Sequence, residues 1–343
     1  MPRPWYFVLP EEKEQPSGGN IYNDRIIKAL AQWGQVVNII SVDEYREAVH
    51  KNQPGIYWVD TLVMNKIQDV LSTRITQLHS LLIVHHLESL APPPGQSAEV
   101  LQAKEKPFLT WFDGFLATSN FTRDYMLEQG FSQPILVTEP GVDIVHDQAF
   151  ARQRTTESIK ALMVANLVER KGVLPWLQYL TQQLERTDRF TLTIIGRTDI
   201  EPNYAQQCLQ LIQKHPLLKS CVTVAGNQSP EQMPTFYQSA NLFISTARME
   251  TFGMAIQEAR SYRLPVLLLK GGYSAQHVLS DPAGFAFHDI AVLSNFFLNL
   301  VREPTKFTTL YQQAQQRSPQ YHTWEQSAEW LIQQFDQFFD YAP

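Results

Sequence analysis

Short apolar runs alternate along the chain with longer segments whose apolar positions recur every three or four residues. The short runs are typical of buried strands and the longer segments of amphipathic helices, and their alternation predicts parallel α/β units. About six runs fall in each half of the chain, which predicts two doubly wound sheets. The predicted strands are Trp5–Leu9, Val36–Ser41, Gly55–Asp60, Leu81–His85, Phe115–Thr118, Ile135–Thr138, Ile159–Val164, Thr191–Ile195, Cys221–Ala225, Leu242–Ser245, Pro265–Leu269 and Gly284–Phe287.

Helical periodicity is clearest in segments that lie between these strands and in one that closes the chain. The predicted helices are Asn20–Trp33, Phe121–Gln129, Val173–Glu185, Asn203–His215, Glu231–Gln238, Phe252–Tyr262 and Thr323–Phe339. The stretch Asp143–Ser158 is polar, lacks periodicity and follows the turn signal Pro140–Gly141. We therefore predict a first domain at 1–147, a second at 148–320 and a C-terminal helical segment at 321–343.

Composition narrows the class of protein. The 343 residues are 44% hydrophobic and 18% charged, which suits two packed cores and argues against a disordered chain. The formal net charge of -6 gives no reason to expect nucleic-acid binding, which depends on basic surfaces. Residues 1–147 contain 11 Lys and Arg against 18 Asp and Glu, so the acidity lies in the first domain.

The compartment is indicated by the cysteines and by the lack of long apolar runs. Cys208 and Cys221 are too few for a disulfide framework, which is typical of a reduced, cytoplasmic protein. The first apolar run ends at Pro10 before acidic residues, which predicts a first strand and not a signal peptide. No run of roughly 18 apolar residues occurs, so we expect at most peripheral association with a membrane.

The segment Ser245–Ala259 carries two glutamates, Glu250 and Glu258, around a predicted strand-to-helix turn. Free N–H groups of the first helical turn bind anions, and Gly253 lets a phosphate approach closely. Glu258 suits paired sugar hydroxyls, since a carboxylate accepts two hydrogen bonds, and Glu250 suits the hydroxyls of a group beyond the phosphates. In the alternative interpretation Glu250 lies in the first helical turn, where its charge interacts favourably with the helix dipole, and Glu258 is a solvated mid-helix residue.

A second segment, Leu162–Gly172, has a strand, a polar loop with Arg170 and Lys171, and a glycine that opens a helix. A lysine at such a turn neutralises a diphosphate as a point charge. The alternative is an exposed basic loop. Both segments therefore indicate a phosphate-bearing ligand, without identifying it.

The spacing of Glu250 and Glu258, with Pro265–Val266 and Gly271–Gly272 after them, resembles the retaining GT-B glycosyltransferases of the large family 4, the glycosyl transferases group 1 domain. Further matching stretches occur in the same order along nearly the whole chain, and the likeness is strongest over 159–278. They are Ser17–Gly19, Ser119–Thr122, Pro140–Asp143, Arg170–Gly172 and Gln238–Ile244. The resemblance implies two Rossmann-like domains facing a central cleft, with the C-terminal helix crossing back onto the first.

The resemblance also implies which residues bind a nucleotide-sugar donor. Lys171 would contact the diphosphate, Glu258 the ribose and Glu250 the donor hexose. The turn at Thr251, Phe252, Gly253 and Met254 would cap the diphosphate, and the loops at Gly196–Arg197 and Asn227 would lie beside the base. The family usually has an arginine five residues before the lysine. Asn166 stands there instead, which predicts weaker diphosphate binding unless Arg170 or Arg248 substitutes.

The first domain offers a glycine-containing turn and a histidine pair. Ser17–Asn20, with Gly18 and Gly19, is predicted to be a loop whose N–H groups face the donor phosphates or the acceptor. His85 and His86 lie at the end of the fourth predicted strand, at the sheet edge where ligands bind, and only one of two adjacent side chains can point there. The resemblance implies a histidine near the transferred sugar. Adjacent histidines without carboxylates chelate a metal poorly, so no metal is expected.

Together these features predict a retaining glycosyltransferase that moves a hexose from a nucleotide-sugar to a saccharide or glycoconjugate acceptor, with no cofactor and no strict need for a metal. The diphosphate is a good leaving group, so stabilisation of its charge matters more than a general acid. The resemblance implies front-face attack, with closure of the domains about Asp143–Ser158 excluding water. Two alternatives stay open: a noncatalytic GT-B subunit, suggested by Asn166, and a relative such as a nucleotide-sugar epimerase.

Overall fold

A computed structural model describes residues 4–10, 17–70, 78–93, 95–143, 157–317 and 321–339. The chain divides into two compact units: unit 1 comprises Met1–Asp143 and His322–Pro343, and unit 2 comprises Ile144–Tyr321. The predicted boundary between residues 147 and 148 lies outside the described residues, as does most of the polar stretch Asp143–Ser158.

Unit 1 is a parallel sheet flanked by helices. Its strands are β1 (Trp5–Val8), β2 (Val37–Ile40), β3 (Gly55–Asp60), β4 (Leu78–Val84), β5 (Gly114–Ala117) and β6 (Ile135–Val137). Its helices are α1 (Gly18–Gln32), α2 (Val42–His50), α3 (Ala98–Leu109), α4 (Asn120–Glu128) and, from the end of the chain, α12 (Trp324–Phe338). The strand order is β2-β1-β3-β4-β5-β6, so the chain reverses direction across the sheet between β1 and β3.

The core of unit 1 includes the C-terminal helix. The ring of Phe335 on α12 lies 4.9 Å from that of Trp5 on β1, and Trp5 lies 5.0 Å from Trp58 on β3. Burying a large apolar side chain contributes roughly 1.5–3 kcal/mol. These contacts therefore attach α12 firmly to the sheet of unit 1.

Unit 2 repeats the same architecture. Its strands are β7 (Ile159–Val164), β8 (Phe190–Ile195), β9 (Val222–Gly226), β10 (Leu242–Ser245), β11 (Val266–Leu269) and β12 (Gly284–Phe287). Its helices are α5 (Val173–Gln183), α6 (Pro202–Lys214), α7 (Pro216–Cys221), α8 (Met233–Ser239), α9 (Met254–Ser261), α10 (Ile290–Arg302) and α11 (Pro304–Gln315). The strand order β12-β11-β10-β7-β8-β9 reverses between β7 and β10.

The two sheets confirm the predicted fold class. Most of the predicted helices begin one or two residues from their predicted starts, and the starts of α1 and α9 bear on the candidate site. The loop predicted at Ser17–Asn20 is wrong: the Ser17 hydroxyl accepts a hydrogen bond from the Asn20 N–H at 3.1 Å, which caps α1 and places Gly18 and Gly19 in its first turn. Conversely, α9 begins at Met254 and not at Phe252, because Gly253 has a left-handed φ of 97° and ends the preceding loop.

Candidate active site

The point where the strand order of unit 2 reverses brings a lysine and a glutamate together. Lys171 follows β7, Glu250 follows β10, and these strands are neighbours. The Lys171 Nζ lies 2.5 Å from the Glu250 Oε1, and their side chains are 14% and 15% exposed. Carboxyl ends of strands beside such a reversal are where ligands bind in open α/β sheets. The exposed-loop interpretation of Lys171 is therefore wrong, and Glu250 lies before the helix and not in its first turn.

Backbone contacts hold the loops of Lys171 and Glu250 against one another. The Thr246 hydroxyl donates to the Lys171 carbonyl at 2.7 Å. Gly172, with φ 66°, fits only without a side chain, because a Cβ there would lie 2.3 Å from the Thr246 carbonyl oxygen. Glycine at this position therefore allows the β7 and β10 loops to pack backbone to backbone.

The loop after β11 supports Glu250 from the other side. The Glu250 N–H donates to the Gly271 carbonyl at 3.2 Å, and the Glu250 carbonyl accepts from the Tyr273 N–H at 2.8 Å. A Cβ on Gly272 would lie 2.3 Å from the Glu250 carbonyl oxygen. The Gly271–Gly272 pair thus fixes the glutamate backbone, so its side chain position is set by three loops.

The turn before α9 rests on a buried histidine that the sequence pattern did not single out. The Nε2 of His277 lies 2.8 Å from the Phe252 carbonyl oxygen, and the two rings pack edge to face at 4.9 Å. Burial lowers the pKa of His277 to about 4. The ring is therefore neutral at neutral pH and donates Nε2–H to the carbonyl. A short 3-10 turn at Ser274–Val278, which has no strong sequence signature, brings it there.

Glu258 lies on α9, and its carboxylate accepts a hydrogen bond from a tyrosine. The Tyr237 hydroxyl of α8 donates to the Glu258 Oε2 at 2.6 Å. Burial, and secondarily the Glu258 charge, raises the pKa of Tyr237 well above its usual value, so the phenol stays a donor. Glu258 is half-buried and hydrogen-bonded, which overturns its interpretation as a solvated mid-helix residue. The sequence pattern did not single out Tyr237, although it lies directly before the stretch Gln238–Ile244.

The predicted base-side loops meet at the ends of β7, β8 and β9. The Asn166 side-chain oxygen accepts the Arg197 N–H at 2.9 Å, and the Gly196 N–H donates to the Gly226 carbonyl at 3.0 Å. A Cβ on Gly196 would lie 2.1 Å from the Ala165 carbonyl oxygen, so this loop also requires glycine. Asn166 therefore orders the loop. Asn227 lies exposed just beyond β9.

The basic residues near Asn166 have their own contacts. Arg197 pairs with Asp199 at 2.8 Å, and the exposed Arg248 lies 3.9 Å from Glu169. Arg170 is exposed, and its carbonyl accepts the Arg248 N–H at 2.9 Å. Thr251 lies in the loop between Glu250 and α9, and Met254 is the first residue of that helix.

In unit 1 the two adjacent histidines have different surroundings. β4 ends at Val84, one residue earlier than predicted, so both follow the strand. The His85 side chain is only 9% exposed, and its Nε2 lies 3.1 Å from the Asn23 Oδ1 and 3.4 Å from the Asp60 Oδ2. His86 is exposed. Gly19 packs on the His85 ring, since a Cβ there would lie 3.0 Å from its Cδ2.

Asn23 and Asp60 were not among the predicted site residues. Asp60 is the last residue of a correctly predicted strand, so its position at a carboxyl end was an available signal. Asn23 lies one turn into α1 and had no such signal.

Metal-binding clusters and membrane-spanning helices are both absent from the described ranges. Within those ranges no group of three or more His, Cys, Asp or Glu side chains is arranged to hold a metal ion. Among the helices of the same residues, none is both long and apolar enough to cross a membrane.

Comparison with known proteins shows that most of the second unit is similar to one family. Residues 146–294 match the model of the glycosyl transferases group 1 family. Over 154 residues the chain is 30% identical to a GDP-mannose:cellobiosyl-diphosphopolyprenol alpha-mannosyltransferase of Xanthomonas oryzae. The aligned residues make up 44% of this chain and 39% of that protein. The chain therefore matches well under half the length of that relative.

Solved structures match the fold of the whole chain. A sucrose-phosphate synthase from Thermosynechococcus elongatus superimposes with a TM-score of 0.77 at 18% identity, over 98% of this chain and 99% of that one. Anabaena Alr3699/HepE in complex with UDP-glucose gives 0.73 at 16% identity, over 98% and 100%. The chain thus has the fold of GT-B glycosyltransferases, and its residues 146–294 are similar to the glycosyl transferases group 1 family.

Proposed function

We propose that the chain is a retaining glycosyltransferase that moves a hexose from a nucleotide-sugar to a saccharide or glycoconjugate acceptor. The observation that carries the proposal is the Lys171–Glu250 pair, 2.5 Å apart at the strand reversal of unit 2. A Cβ on Gly253, just before α9, would lie 3.6 Å from the Glu250 Cβ, so the pair adjoins the start of that helix. A cation and a helix N-terminus side by side suit a diphosphate.

Each candidate site residue of unit 2 has a distinct role in the proposed reaction. The diphosphate replaces Glu250 as the partner of Lys171, and the released Glu250 carboxylate accepts hydrogen bonds from hydroxyls of the hexose. Burial lowers the pKa of Lys171, an effect that the Glu250 charge opposes. A diphosphate opposes it in the same way, so the lysine stays charged. Glu258, held by Tyr237, accepts the ribose hydroxyls.

The proposed transfer breaks the bond between the anomeric carbon and the diphosphate oxygen. An acceptor hydroxyl attacks from the same face and forms the new glycosidic bond, and its proton passes to the departing diphosphate. The anomeric configuration is thereby retained. Lys171 and the N–H groups of α9 stabilise the charge that develops on the diphosphate, the largest contribution expected in such a reaction. In this scheme no step requires a metal ion.

Transfer from a panel of labelled nucleotide-sugars tests the proposal. GDP-mannose comes first, because the Xanthomonas relative is named for it, and UDP-glucose second, because the Anabaena structure contains it. Product with the donor's anomeric configuration, by proton NMR, is the expected result. The whole chain carrying Lys214→Ala, at an exposed lysine, serves as the matched control for Lys171→Ala. Absence of nucleotide binding at millimolar concentration would overturn the proposal and favour a noncatalytic subunit.

A further inference from the structure

A buried carboxylate lies behind His85 in unit 1, where β1 and β3 mark the reversal of the strand order. Asp60 ends β3 with its side chain fully buried. Its Oδ1 accepts the Leu62 N–H at 2.7 Å, and its Oδ2 accepts the side-chain amide of Asn23. Asn23 is 2% exposed. The carboxylate thus lies in a shell of N–H donors from two elements, within the described part of the chain.

These contacts fix the orientation of the Asn23 amide. The backbone N–H of Leu62 and the Asn23 NH2 group both face the carboxylate, which accepts hydrogen bonds and has none to donate when ionised. The reverse amide orientation would set two acceptor oxygens against each other. With its NH2 group on Asp60, Asn23 turns its Oδ1 towards the His85 ring, 3.1 Å from Nε2.

The orientation of Asn23 in turn determines where His85 carries its proton. Nε2 has two oxygen neighbours, the Asn23 Oδ1 at 3.1 Å and the Asp60 Oδ2 at 3.4 Å. Both are acceptors, so Nε2 must be the protonated nitrogen. In a neutral imidazole the other nitrogen, Nδ1, then carries the lone pair and accepts.

The ring is also held in place sterically. The Tyr22 ring packs on it edge to face at 5.3 Å, and the backbone of Gly19 lies against its Cδ2 side. The Tyr22 hydroxyl in turn donates to the Thr138 carbonyl at 3.0 Å. A ring flip would require these packed elements to move.

We propose that Asp60 and Asn23 are positioning residues that hold His85 in the Nε2–H form, so that its Nδ1 accepts a hydrogen bond from a substrate hydroxyl. The substrate part of this inference rests on the proposed glycosyl transfer. The tautomer part does not, because it concerns the protein alone. A buried amide and carboxylate act here through the histidine, without touching substrate themselves.

An exchange of the two side chains tests the network. In Asp60→Asn the new amide donates its NH2 group to Asn23, which must flip and present its own NH2 group to Nε2. The histidine then moves its proton to Nδ1. In the double variant Asp60→Asn/Asn23→Asp, the carboxylate at residue 23 accepts from both neighbours, and the Nε2–H form returns.

Histidine-selective nitrogen-15 NMR above about pH 8, where imidazoles are neutral, reports the tautomer directly. His85→Gln identifies the resonance. We expect Nε2–H in the unmodified protein, Nδ1–H in Asp60→Asn and Nε2–H again in the exchange variant. An Nδ1–H form in the unmodified protein would overturn the proposal, and that measurement holds even where a variant does not fold. An unchanged tautomer in folded Asp60→Asn would overturn it too.

Transfer assays supply the second readout. We expect kcat to fall about tenfold in Asp60→Asn, the size typical for loss of a group that orients a functional histidine, and to recover within about threefold in the exchange variant. Asp113→Asn is the matched control, because that carboxylate also accepts a buried-strand N–H, from Ser80 at 2.9 Å. If no donor is transferred but the tautomers behave as expected, the proposed function fails and the network stands. Equal kcat in all variants would remove the link to substrate.

Discussion

The two points of strand reversal are built alike and hold their carboxylates differently. In each unit a carboxylate contacts a group that follows the first strand of that unit in the chain. Asp60, the last residue of β3, contacts Asn23, and Glu250, in the loop after β10, contacts Lys171. Asp60 is fully buried among neutral N–H donors, whereas Glu250 keeps 15% exposure and has a cation as its partner. A carboxylate whose hydrogen bonds all come from neutral donors is a fixed part of the structure, while an ion pair can exchange one partner for an incoming anion.

This difference in burial and partner predicts different effects when each carboxylate site is mutated. Removing either member of the unit 2 pair takes away charge that a ligand needs, whereas removing Asp60 leaves buried N–H groups without acceptors. We therefore expect unit 2 variants to lose function before stability, and the unit 1 variant to lose stability as well.

Lys171→Ala gives the largest expected effect. The variant loses the cation that balances the departing diphosphate, and loss of one such group lowers kcat by about 100-fold or more. The thermal midpoint should change little, because the Glu250 side chain retains access to water. Steady-state kinetics and thermal melts of Lys171→Ala and Lys214→Ala, side by side, check this. Wild-type turnover by Lys171→Ala would show that the donor site lies elsewhere.

The variants Asp60→Ala and Glu250→Ala together compare how much each carboxylate contributes to the unfolding free energy. Asp60→Ala leaves the Leu62 N–H and the Asn23 amide buried without an acceptor, which costs about 3 kcal/mol of unfolding free energy. Glu250→Ala leaves Lys171 without its carboxylate, but the lysine side chain is 14% exposed, so water can reach the ammonium and the loss should be smaller, about 2 kcal/mol. Urea unfolding curves measure both values. Equal losses would mean that the two reversal points are not different in kind.

The sequence predicted both sheets because buried parallel strands are apolar runs with polar ends, a pattern that survives without knowledge of contacts. It also identified Lys171, Glu250 and Glu258 as candidate site residues, because charged side chains at this spacing around predicted turns suit a phosphate-bearing ligand. Asn23, Tyr237 and His277 were not found in this way. Each acts through a hydrogen bond to a residue distant in the chain, Asp60, Glu258 and Phe252 at 37, 21 and 25 positions away, and Asn23 makes a second one to His85. Periodicity carries no information on such pairs.

Helix starts were the other weakness, and their cause is local. Whether α1 begins at Gly18 depends on the Ser17 hydroxyl reaching the Asn20 N–H, and whether α9 begins at Met254 depends on one left-handed glycine. Composition makes Ser17–Asn20 look like a loop, and it does not show that Gly253 is left-handed, which is why the helix was predicted from Phe252. The order of the strands across each sheet, which creates the two reversal points, likewise appears only in the folded chain.

Acid titration should distinguish the units through His277. Its pKa is lowered to about 4 in the folded chain, so between about pH 6.5 and pH 4 the unfolded chain binds a proton that the folded chain does not. The unfolding free energy therefore falls as the pH is lowered through this range, by on the order of 2 kcal/mol. The His277→Gln variant should lack this part of the pH dependence.

Urea unfolding at a series of pH values measures the effect, with the exposed His50→Gln as control. A parallel drop in wild type and His277→Gln would contradict a neutral, buried His277.

The smallest expected effect concerns the hydroxyl that Tyr237 donates to Glu258. Tyr237→Phe leaves the Glu258 carboxylate in place but less firmly oriented, which should raise the KM for the donor about threefold. The effect is small because the hydrogen bond that is lost joins Tyr237 to Glu258 and does not involve the donor itself. Glu258→Gln should raise it about tenfold. Both increases should shrink for a donor whose ribose lacks the 2′-hydroxyl. Tyr179→Phe, which removes a surface hydroxyl that donates to Asn295, controls for the substitution itself. An equal KM in Tyr237→Phe and Tyr179→Phe would mean that Glu258 needs no support, and that only unit 1 relies on a residue acting through another.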